Sequence, residues 1–104
     1  MREDLYTNIL AIDETLYVAR SKYQVPYQLT FELLESSVLP YVTVIPIEES
    51  DLDGMKKYLL SYGVKPSDAI HLATMEKVGI TRIASEDEEL DKARETKRIW
   101  MTLQ

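Results

Sequence analysis

An α/β fold is what this chain predicts: three layers, with a short and mostly parallel sheet flanked by helices. Three observations carry that expectation. Short runs rich in β-branched residues alternate with stretches of helical apolar spacing. No hairpin signal such as Asn-Gly joins two strands, so parallel pairing through helical crossovers is expected. Proline and glycine stand where helices should begin and end, at Pro26, Gly63, Pro66 and Gly79.

The elements follow in order. Residues up to Tyr6 predict a short strand, with Thr7 or Asn8 as a helix cap. Ile9, Ile12, Leu16 and Ala19 recur at helical spacing, which predicts a helix to about Lys22. Pro26 opens a second helix carrying Leu29, Leu33 and Leu34 and ending near Ser36-Ser37. Tyr41 to Ile47 is rich in β-branched residues and reads as a strand; Pro46 cannot donate to a ladder and assigns it an edge or an end.

Ser50 followed by Asp53 predicts a capped helix start, and Leu59, Leu60 and Tyr62 carry that helix to Gly63. Pro66 suits the first position of the next helix, where its missing N–H costs nothing. Ile70, Ala73 and Met75 to Val78 give that helix its apolar surface, and Gly79 stops it. A strand over Ile80–Ala84, a short helix over Glu86–Arg94 and a final strand over Arg98–Met101 complete the pattern. No repeat or linker is visible, so residues 1–104 read as a single domain.

Composition narrows the chemistry. The chain has 104 residues, 45% of them hydrophobic and 29% charged, as in soluble globular proteins. It lacks cysteine, which excludes disulfides and thiolate chemistry, and its one histidine argues against a histidine-rich metal site. No apolar run reaches bilayer length and no signal pattern opens the chain, so a cytoplasmic location is expected. A single asparagine beside plentiful Glu and Lys is in keeping with a thermophilic source. The net charge of -6 argues against a broad electrostatic grip on nucleic acid. Lys92, Arg94, Lys97 and Arg98 read as a solvated helix face and a charged edge strand.

The acids are the informative residues. Lys65-Pro66-Ser67-Asp68-Ala69-Ile70-His71 places a carboxylate in a first helical turn, and Ile83-Ala84-Ser85-Glu86-Asp87 runs a short strand into a second acidic cluster. Open α/β sheets collect their ligands at such strand ends. Carboxylates gathered without neutralising lysines suggest a hard divalent cation and metal-assisted phosphate chemistry. Each cluster also has a plain structural reading: Asp68 complements the helix dipole, and Ser85 with Glu88 forms a capping box. Asp13 and Glu14 interrupt the apolar stretch Ile9–Val18, and a carboxylate there is costly to bury unless paired. Both pointing to solvent is the alternative, and periodicity does not separate the two. His71, one turn after Asp68, reads more readily as a packed helix residue than as a ligand, and Trp100 and the tyrosines as core and flank.

With these residues in place the pattern resembles the PIN domain, the metal-dependent nuclease fold of many prokaryotic toxins, almost from end to end. Leu5-Tyr6-Thr7-Asn8 through Asp13-Glu14-Thr15-Leu16 resembles that family's second strand and glutamate-bearing helix. Pro66-Ser67-Asp68-Ala69-Ile70-His71-Leu72-Ala73 resembles the helix bearing its next aspartate. Ile83-Ala84-Ser85-Glu86-Asp87-Glu88-Glu89 resembles the strand end with the last acids, Glu89 standing where a second aspartate often lies. The resemblance implies a Mg²⁺- or Mn²⁺-dependent endoribonuclease with Glu14, Asp68 and Asp87 as catalytic residues and, with Glu89, as metal ligands. It implies RNA as substrate and an antitoxin protein as partner.

The family's usual first strand, ending in a metal-binding aspartate, has no counterpart before Thr7. The chain therefore reads as a PIN-like domain incomplete at its N-terminus. Such a gap in a sheet is costly, which predicts a homodimer or larger assembly. A catalytically impaired module acting through protein association is the rival reading. A domain whose acids only cap helices is the third.

Overall fold

The computed structural model describes residues 5–84, 92 and 97–99. Apart from Lys92, the expected short helix over Glu86–Arg94 lies outside the described residues, as does the last part of the expected Arg98–Met101 strand. The chain divides into two compact units, Met1–Pro46 and Ile47–Gln104.

In the first unit, strand β1 (Leu5–Thr7) leads into helix α1 (Ile9–Tyr23), helix α2 (Tyr27–Ser37), a 3-10 turn (Leu39–Tyr41) and strand β2 (Val42–Val44). Asn8 is extended and its Oδ1 accepts the Ala11 N–H at 2.8 Å, so one of the orphan donors of the helix start is satisfied by the side chain the sequence indicates. Helix α1 ends without a glycine. Gln24 adopts a left-handed conformation (φ 55°), and the Val25 N–H closes on the Ala19 carbonyl at 3.0 Å. Pro26 precedes α2 as expected. β1 and β2 pair in parallel with Leu5 beside Val42 and Thr7 beside Val44, and the Ile45 N–H donates to the Thr7 carbonyl at 2.7 Å. The strand expected over Tyr41–Ile47 is shorter because its leading residues close the 3-10 turn. Pro46 lies just past its end.

The second unit contains helix α3 (Asp51–Tyr62), helix α4 (Pro66–Lys77) and strands β3 (Arg82–Ala84) and β4 (Lys97–Ile99). Gly63 ends α3 at φ 66°, the left-handed conformation that glycine adopts without a Cβ penalty. Pro66 starts α4 after an extended Lys65. β3 and β4 are again parallel, with Arg82 beside Lys97. Both described strand pairs are thus parallel, as the missing hairpin signals require.

The core of this unit is Tyr58, Val64, Ala69, Leu72 and Met75, with Met55, Leu59, Tyr62 and Ile80 packed at its edge. Leu72 is 1% exposed, a burial that stabilises by about 1.5–3 kcal/mol. Gly54 lets α3 and α4 approach closely: a Cβ there would lie 2.9 Å from the Ala73 Cβ. Among the described residues, no helix is long and apolar enough to cross a membrane.

Candidate functional site

Spacing explains which carboxylates are buried. Asp68 lies four residues before Leu72 and seven before Met75, so it heads the apolar stripe of α4 and is only 6% exposed. Asp51 heads the corresponding stripe of α3, before Met55, Tyr58 and Tyr62, and is also buried. A buried carboxylate is costly without hydrogen bonds or opposite charge, and the two aspartates meet that cost differently.

Asp51 is enclosed by structural partners. Its Oδ2 accepts the Glu48 N–H at 2.8 Å and the Lys77 ammonium at 2.9 Å. Burial by itself pushes this carboxyl upward, but the Glu48 N–H and the Lys77 charge outweigh it and hold the group below its ordinary value of 3.8. This corrects the expected cap at Ser50, which is already in a helical conformation and makes no capping hydrogen bond through its side chain. Asp51 instead reaches back three residues to Glu48. A second clasp joins the same helices. Glu76 Oε2 accepts from both the Tyr58 hydroxyl, at 2.5 Å, and the Lys57 ammonium, at 2.6 Å.

Asp68 sits in the first turn of α4, where the helix dipole favours a negative charge. The Lys65 ammonium stands 3.9 Å from its Oδ2, beyond hydrogen-bonding distance. The expectation of acids without neutralising lysines is thereby corrected at Asp68, which has Lys65 beside it, while Ser85–Asp87 lies outside the described residues. Asp68 is thus a carboxylate shielded by packing, with the half-exposed Lys65 beside it.

Glu14 and Asp13 separate cleanly. Glu14 is half-buried on α1, like Leu10 and Ala11, whereas Asp13 is exposed. Glu14 belongs to the first unit and Asp68 to the second. Asp87 and Glu89 lie outside the described residues. His71, one turn beyond Asp68, is partly buried, and its carbonyl accepts the Thr74 hydroxyl at 2.9 Å. Among the described residues no group of three or more His, Asp or Glu side chains gathers as a metal site. The oxygen donors of Glu14 and Asp68 nonetheless have the hardness that Mg²⁺ and Mn²⁺ favour.

Sequence reasoning missed the clasp residues Lys57, Glu76 and Lys77. The signal available for Asp51 was its place at the head of an apolar stripe, since an acid in such a position requires a partner from elsewhere.

The PIN domain family model matches residues 1–96. No curated protein matches the chain.

Proposed function

The chain belongs to the PIN domain family, and on that premise we propose that it is a metal-dependent endoribonuclease of toxin-like type. The observation that carries this reading is the family match over residues 1–96. The shielded carboxylate of Asp68 supports it, being a hard oxygen donor buried in the first turn of α4. Glu14, Asp68, Asp87 and Glu89 would hold the Mg²⁺ or Mn²⁺. A bound ion of this kind supplies Lewis-acid stabilisation of charge at a phosphodiester. In this reading the side chains hold the cation and orient a hydrolytic water, and no side-chain nucleophile takes part. Lys65 offers a positive charge at the rim, suited to a phosphate of an RNA backbone.

Calorimetric titration with Mn²⁺ is the direct test. Binding in the micromolar-to-millimolar range is expected, and absence of binding at millimolar Mn²⁺ removes the catalytic reading. Asp68→Asn should abolish cleavage of single-stranded RNA and weaken Mn²⁺ binding while changing stability by less than about 1 kcal/mol. Lost stability with metal binding retained would assign Asp68 to helix capping instead.

A second reading, association with another protein by a module of impaired catalysis, is favoured by the exposed apolar side chains of α1 and α2.

A further inference from the structure

The tyrosines expected to fill core and flank divide between the two units. Tyr58 is 2% exposed in the second unit, whereas Tyr17, Tyr23 and Tyr27 of the first are 65%, 67% and 53% exposed. Tyr17 and Tyr23 stand on α1, and Tyr27 opens α2. Gln24, left-handed at φ 55°, and the bond from the Val25 N–H to the Ala19 carbonyl turn the chain between them, so the three rings flank one helix corner. Each offers an apolar face with a polar tip.

Charge at this corner is opposite in sign to that of the chain. The whole sequence has 18 acidic residues against 12 basic ones, yet no aspartate or glutamate occurs from Thr15 through Phe31, a stretch that contains Arg20 and Lys22. Both cations are exposed in the last turn of α1, and neither has an ion-pair partner among the described residues. Arg20 stands three residues after Tyr17 and three before Tyr23, so it neighbours both on the helix surface. Cations in a last turn complement the helix dipole, which accounts for Arg20 and Lys22 but not for the exposed rings around them.

We propose that this corner is a binding site for single-stranded nucleic acid, distinct from the candidate metal ligands. Unpaired bases stack on Tyr17, Tyr23 and Tyr27, and Arg20 and Lys22 take the phosphates between them. Every base has a π-face and every linkage a negative charge, so the grip tolerates many sequences. The net charge that opposes a broad electrostatic grip leaves room for this local one. A two-fold contact between copies of this chain would set Arg20 and Lys22 against their own kind, so charge selects a polyanion over a second copy. The binding does not depend on the nuclease reading; within that reading, the strand is held one helical turn from Glu14.

The test uses the full chain in EDTA, which keeps cleavage out of the measurement, and a fluorescein-labelled oligouridylate of about 12 nucleotides. Fluorescence anisotropy should report a Kd of about 1–100 µM. An oligothymidylate of the same length should bind within about threefold, because stacking does not read the 2′-hydroxyl. An RNA duplex, whose bases are already stacked, should bind at least about tenfold more weakly. Tyr17→Ala and Tyr27→Ala should each weaken binding about fivefold or more, and Tyr17→Phe, which keeps the ring, should retain it. Arg20→Gln with Lys22→Gln should weaken binding about threefold to tenfold and flatten its salt dependence. All these positions are exposed, and circular dichroism checks that each variant is folded. Absence of binding at about 100 µM protein, equal binding of the duplex, or unchanged binding by both alanine variants overturns the proposal. So does a dimer in sedimentation that Tyr27→Ala dissociates, because the corner would then belong to a second copy. Asp68→Asn should leave this metal-free binding unchanged, so the proposal and the nuclease reading fail separately.

Discussion

The two units of this chain meet the same packing problem with different success. In the second, α3 and α4 close on Tyr58, Leu72 and Met75, and Gly54 opposite Ala73 brings the helices together. In the first, α1 contains no fully buried residue and α2 only Thr30. Leu5, Ile9, Tyr17, Tyr23, Tyr27 and Leu33 are each more than half exposed. Both units have amphipathic helices, so periodicity is not what separates them. The difference lies in complementarity: α3 and α4 each supply a stripe, a small residue at the closest approach and charges that meet across the contact. A repeating apolar pattern identifies the face to be covered, but not what covers it.

The contrast can be broken most directly by truncating one leucine in each unit. Leu72→Ala should cost about 2–5 kcal/mol, and Leu33→Ala, at a position 55% exposed, less than about 0.5 kcal/mol. Urea unfolding of both variants measures this, and comparable losses would mean that the first unit has a core after all. Lys77→Met should cost about 1–3 kcal/mol near neutral pH, because it leaves the buried Asp51 carboxylate with the Glu48 N–H alone.

The pH dependence of that loss sharpens the comparison. The folded-state pKa of Asp51 lies below 3.8, so its contribution is complete above that value and is lost as pH falls through the folded-state pKa. The gap between wild type and Lys77→Met should therefore close in acid, and a gap independent of pH would exclude the ion pair as its source. Gly54→Ala should lose about 1–2 kcal/mol despite the better helix propensity of alanine, because the added Cβ meets Ala73. Ala73→Gly in the same chain should recover part of it. A net gain from Gly54→Ala alone would show that the helices separate without cost.

What was legible in the sequence was local. Asn8 before an apolar repeat, Gly63 after one and Pro66 at the head of another each act within a turn of their own position, and each is found where the pattern places it. The error at Ser50 was non-local in origin, for Asp51 takes the reach-back role while held by a lysine 26 residues away. The overlong strand at Tyr41 arose because β propensity does not register the 3-10 turn that Leu39-Pro40-Tyr41 closes. At the candidate site, Asp68 was legible as an acid in a first turn and as the head of an apolar stripe. Lys65 was overlooked because a three-residue separation brings charges together only once the helix start is fixed. Glu14 could be distinguished from Asp13 only by packing, since both interrupt the same apolar run.

The short link between α3 and α4 also has a kinetic side. These helices are joined through Gly63–Lys65, so their contacts form after closing a small loop, whereas β1 must find β2 across all of α1 and α2. Assembly should accordingly begin with the helical hairpin, the parallel ladder of the first unit forming later. Pulse-labelled amide exchange that protects Tyr6 and Thr43 before Tyr58 and Leu72 would reverse this order.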